Sequence, residues 1–215
     1  MDFNKVTVIT GHYGSGKTNL SANLALHLAE KGSVSIIDLD IVNLYFRTAD
    51  FVELFAERNV KLVASKYANS GVDVPALGFD IGGTIKSSDY TIIDVGGDDE
   101  GAKALGRYTA EISATQPDMF YVVNMYRYLT REPDEALELL REIEAVSRLK
   151  CTGIINNSNL GAETTTELIG ASLPYAREIA EKAGVPLVFT AGRRDLECGA
   201  VGFPVDIHVK KGEYR

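Results

Sequence analysis

A chain of 215 residues with 22 Lys and Arg against 30 Asp and Glu carries a formal net charge of −8, and 45% of it is hydrophobic. That length supports a sizeable core in a single domain, 1–215, and no apolar run approaches the ~20 residues that cross a bilayer. The acidic balance disfavours a sequence-independent grip on nucleic acid, which needs clustered cations, and "MDFNKVTVIT" has no readable secretory signal, so a cytoplasmic, non-membrane protein is expected.

The first β-branched run, "KVTVIT", leads into "GHYGSGKT" and then the helical pattern "NLSANLALHLAEKG". The loop satisfies GxxxxGK[ST] between a strand and a helix, which is the context that phosphate-loop motif requires. Gly11, Gly14 and Gly16 let backbone N–H groups approach phosphate oxygens, with His12, Tyr13 and Ser15 completing the loop. The helix N-terminus adds partial positive charge. Lys17 would reach the terminal phosphates, Thr18 would help hold Mg²⁺, and Asn19 lies one residue further along the first turn.

The next strand, "VSIIDLD", puts Asp38 and Asp40 on one face of an extended segment, near Asn43. One helical candidate follows, "ADFVELFAERN", then "VKLV" and the Gly-rich "NSGVDVPALGFDIGG", which reads as a loop excursion over about 64–89. "YTIIDVGG" has the form of a metal-organising strand ending in Asp94, with Gly97 closing a DxxG turn that senses a γ-phosphate. Asp98, Asp99 and Glu100 suit the first turn of a following helix. Strand-like "MFYVVNMY", "CTGIINN" and "PLVFT" then alternate with helical stretches such as "EPDEALELLREIEAVSRL". This alternation predicts an α/β fold, a doubly wound, mostly parallel sheet flanked by helices. Cys151 and Cys198 lack metal-ligand spacing and read as bystander thiols.

A GxxxxGKT loop, a strand ending in DxD and a strand ending in DxxG, in that order, resemble the MinD and ParA group of P-loop ATPases, in the wider class that includes signal-recognition GTPases. The resemblance covers most of the chain, strongest over residues 5–43 and 90–106. It implies a P-loop nucleoside triphosphatase fold binding ATP and Mg²⁺, in which one of Asp38 and Asp40 orders the attacking water and the other contacts Mg²⁺ through water; Asp38 is assigned the water, and Asp40 the metal with Thr18 and Asp94. It also implies an Asn at a late strand end that reads adenine, for which Asn156 is the choice over Asn157, while the lack of NKxD points away from GTP. One departure stands out: the group's extra lysine, which reaches across a dimer to the partner's nucleotide, is His12 here. A protonated His12, Arg47 or Arg127 are the candidates to replace it, and Gly192, Arg193 and Arg194 could close over the base.

These features lead to an Mg²⁺-dependent ATPase whose cycle switches dimerisation or binding of an unidentified protein partner, with Lys17, Asp38 and Asp40 as catalytic residues. Two alternatives stand beside it: a small-molecule kinase or synthetase of the dethiobiotin or cobyrinate type, and a module that binds ATP with negligible hydrolysis. The chain has no CxxC pair for a metal cluster, and "VDIHVKKGEYR" is too short for a basic amphipathic membrane helix.

Overall fold

Strands covered on both faces read as unbroken apolar runs, and Val6–Thr10 (β1) is buried at every position. The computed structural model describes residues 2–39, 52–63, 80–97, 99–196 and 199–208. Within them β1 is joined by Val34–Asp38 (β2), Val60–Val63 (β3), Tyr90–Asp94 (β4), Asp118–Val123 (β5), Gly153–Asn156 (β6), Leu187–Arg193 (β7) and Phe203–Val205 (β8). They form one eight-stranded sheet in the order β3-β2-β4-β1-β5-β6-β7-β8, and every pairing is parallel. The expected doubly wound sheet is therefore present.

The helices are Lys17–Ala29 (α1), Val52–Glu57 (α2), Ile81–Ser87 (α3), Asp99–Gly106 (α4), Thr109–Ser113 (α5), Pro133–Ser147 (α6) and Thr166–Ala183 (α7). Successive side chains of a strand point to opposite faces, and β1 shows the result. Val6 and Val8 pack with Leu105 of α4, Leu140 of α6 and Ile179 of α7, whereas Ile9 packs with Leu20, Leu24 and Leu28 of α1.

Two elements differ from the expectation. Residues 64–79 of the excursion lie outside the described residues, but residues 81–87 form α3, where a loop is expected. Asp80 caps this helix by accepting the Gly83 N–H at 2.7 Å, and Ile81 and Ile85 are buried. The Gly82–Gly83 pair lowers helix propensity and masks the pattern, which burial then overrides. Strand β8 is three residues long and contains Pro204, a residue that suits its place at the sheet edge.

The chain goes from β1 to β2 and β3, returns to β4 between β2 and β1, then crosses β1 to β5 and runs on through β6, β7 and β8, so the winding reverses beside β1. Such a switch point opens a crevice at the carboxyl ends of the strands.

Candidate functional site

The loop of residues 11–16 lies in that crevice, directly after β1. Gly16 stands at φ 87° and caps α1 with no side-chain acceptor, leaving the first-turn N–H groups of the helix without that competitor. A side chain there would also collide with Asn157, whose Nδ2 lies 2.4 Å from the position of a Cβ. Within the loop Ser15 N–H donates to the His12 C=O at 3.2 Å, and no such partner appears for Tyr13, Gly14 or Gly16 N–H among the described residues. Lys17, only 6% exposed, folds back and donates from Nζ to the His12 C=O at 3.0 Å.

Strand register brings the acidic side of the site together. Asp94 pairs with Ile9 of β1 on one side and with Asp38 of β2 on the other. Its Oδ1 accepts from Ser21 Oγ of α1 at 3.0 Å, and among the described residues its buried Oδ2 has no hydrogen-bond partner within normal geometry. Burial, and then the negative charge of Asp38, push the Asp94 carboxyl up to about 7, against the pull of Lys17 and the Thr18 and Ser21 hydroxyls. A buried, unsatisfied carboxylate oxygen beside a helix start is a place for a cation or a donor. Among the described residues no three His, Cys, Asp or Glu side chains form a metal cage.

Gly97 closes the turn after β4 against the loop. A Cβ at Gly97 would stand 2.4 Å from Tyr13 N and 2.8 Å from Lys17 Nζ, so only glycine lets the turn touch the loop. Tyr13 itself is 56% exposed at the rim. His12 is held below its ordinary value, mainly by burial and further by the charges of Lys17 and Arg127, so its imidazole is neutral near pH 7.

The strand-end asparagines have different partners. Asn156 is fully buried, donates to Ser172 Oγ at 2.9 Å and Thr190 Oγ1 at 3.4 Å, and accepts from Ser158 N–H. Both ends of its side-chain amide therefore have partners inside the protein. Its neighbour Asn157 instead donates to the Ser15 C=O at 2.7 Å and so props the loop from below. Asn124, at the end of β5, was not anticipated: its Oδ1 accepts from Tyr126 and Asn159 N–H, and its C=O accepts Arg127 N–H at 3.1 Å. The signal was present in the sequence as polar residues ending apolar strands, "VVN" and "IINN".

Asn19 also faces elsewhere, donating to the Asp206 C=O at 3.0 Å and accepting from His208 N–H at 3.0 Å. Arg193 and Arg194 pair with Asp195 and Asp206, in a cleft of about 380 Å³ that also includes Val205 and Ile207. Asp99 and Glu100 occupy the first turn of α4. Cys151 is buried, its thiol pushed up to about 11 by burial, which makes it unreactive. Asp40, Arg47, Asp98 and Cys198 lie outside the described residues.

Residues 6–180 match the family described as the CobQ/CobB/MinD/ParA nucleotide binding domain. No curated protein matches the chain. Among solved structures it is similar to the cell division protein FtsY of Thermotoga maritima, at 21% identity over 88% of this chain and 62% of that one, with a TM-score of 0.60. Chloroplast FtsY of Physcomitrella patens gives 18% identity, 88% and 59% coverage and a TM-score of 0.59. The signal recognition particle 54 kDa protein of Aeropyrum pernix, in complex with GDP, gives 15%, 88% and 41%, with a TM-score of 0.55. The chain thus spans 41% to 62% of the length of these three, and the likeness is one of fold. No helix among the described residues is long and apolar enough to cross a membrane.

Proposed function

The chain belongs to the CobQ/CobB/MinD/ParA nucleotide-binding domain family, and on that premise we propose that it binds and hydrolyses ATP with Mg²⁺, using the cycle to switch association with a second copy or another protein. The observation that carries this reading is the loop itself: Lys17 folded back onto the His12 C=O of a glycine-rich loop at a helix start, with its charge close to the Asp94 carboxyl. Lys17 and the loop N–H groups would hold the phosphates, and Thr18, Asp94 and Asp40 would hold Mg²⁺, whose positive charge would offset the negative charge developing on the phosphoryl group. Asp38, beside Asp94, would position water. Catalysis of this kind rests on placement and electrostatics rather than on covalent chemistry.

Titration calorimetry with ATP, ADP and GTP, beside phosphate release at several protein concentrations, tests the proposal. Lys17→Ala is expected to weaken ATP binding by about 100-fold, the scale of losing charged hydrogen bonds to phosphate. Turnover that rises with protein concentration supports the association switch. Equal affinity for GTP would remove the ATP assignment while leaving the phosphate site intact.

A further inference from the structure

Resting on that nucleotide-site reading, we infer that Arg127 is the second cation of the site, a residue by which the chain reaches the terminal phosphates of its own bound nucleotide without help from a partner. The heavy atoms nearest to a Cβ placed on Gly14 are Arg127 Nε at 3.4 Å, Cζ at 3.5 Å and Cδ at 3.6 Å, so the guanidinium lies along the middle of the phosphate loop. The same charge is felt by His12. Lys17 and Arg127 therefore flank a neutral imidazole around a row of backbone donors, an arrangement that calls for an anion of high charge.

The turn that carries Arg127 is built for placement. Arg127 N–H donates to the Asn124 C=O, and Thr130 N–H donates to the Arg127 C=O at 3.2 Å. Asn124 and Thr130 are 0% and 2% exposed, and Tyr175 Oη of α7 is hydrogen-bonded to the Thr130 C=O. An exposed side chain thus leaves a backbone anchored by buried hydrogen-bonded residues. Arg193 and Arg194 are both paired with carboxylates, whereas no ion pair involves Arg127 among the described residues. A planar guanidinium can contact two phosphate oxygens at once, which a single ammonium does not do. Burial holds His12 toward its neutral form, whereas Arg127 keeps its charge beside the loop.

The test compares full-length wild type, Arg127→Ala, Arg127→Lys and Lys17→Ala for ATP and ADP affinity and for phosphate release. Arg127→Ala is expected to lose about tenfold or more in ATP affinity and at least about 100-fold in turnover, with ADP affinity changed less than about threefold, because a terminal-phosphate contact is absent from ADP. Arg127→Lys should recover part of the affinity and little of the turnover. A mixture of Arg127→Ala with Lys17→Ala should show no recovery, since the arginine acts within its own chain. Wild-type behaviour of Arg127→Ala, equal losses for ATP and ADP, or recovery on mixing would each overturn the inference while leaving the nucleotide site standing. A wild type that binds no nucleotide would overturn both. Unchanged thermal melting of Arg127→Ala, expected for an exposed side chain, separates these outcomes from misfolding.

Discussion

Asp94 is a residue whose placement opposes its charge. With its folded value near 7, against 3.8 ordinarily, the folded protein binds more protons than the unfolded chain between those limits. Stability of the nucleotide-free protein therefore falls as pH rises through that window. Asp94→Asn keeps an acceptor for Ser21 and removes the buried charge beside Asp38. It should be more stable than wild type at pH 8 by roughly 1–3 kcal/mol and lose that advantage near pH 4.5, while binding Mg²⁺ and nucleotide less well. Urea unfolding at the two pH values checks this, and a wild-type midpoint flat from pH 5 to 8 would contradict it. The same scale shows what a single sequence withholds. Ile154 packs toward α6 and α7, whereas Ile155 packs toward α1. Strand parity then sends Asn156 into Ser172 of α7 and leaves Asn157 facing the loop after β1. "IINN" displays two asparagines, but which one reaches the loop depends on which helix covers which face.

Elements meet at the site by backbone contact as much as by side chains. Gly97 lets the turn after β4 lie on the loop after β1, and Lys17 Nζ occupies the same corner. Gly97→Ala would force the two apart or displace Lys17. Overpacking of this kind should cost about 1–3 kcal/mol in stability, and we expect at least a tenfold loss of nucleotide affinity through the shift of Lys17. Thermal melting and calorimetry on the variant check both, and unchanged affinity would show that the turn and loop do not act together. The loop, its strand and its helix were legible because one motif demands all three. Helix α3 was not, since its two glycines argue against a helix and only the burial of Ile81 and Ile85 explains it. Strand β8 exists through its partner β7, and a three-residue stretch around Pro204 has no period to read.

At the scale of the molecule, alternation of strands and helices predicts the layers, but strand order follows from crossovers that no local pattern encodes. One such long-range tie joins residues 206–208, beyond β8, to the helix of the phosphate loop. Asn23, 5% exposed, accepts from Asp206 N–H at 2.8 Å and donates to the Asp206 C=O at 2.9 Å, and Asn19 holds the same carbonyl and His208 N–H. Two asparagine side chains thus pair with this segment as a neighbouring strand would, from the turns of α1 that follow Lys17 and Thr18. Asn23→Ala would leave the Asp206 N–H unmatched and its C=O with one donor fewer, at a cost of about 1–3 kcal/mol, or roughly 2–12 °C in Tm for a protein of this size. The tie also has a direction to test. Ordering of the first turn of α1 by a bound nucleotide should tighten residues 206–208, and by reciprocity a loosened segment should weaken binding. Amide exchange at Asp206 and His208 is expected to slow on addition of ATP and Mg²⁺ to wild type, and to slow far less in Asn23→Ala. Equal slowing in both proteins would mean that α1 and the segment are merely adjacent, with no coupling through the asparagines.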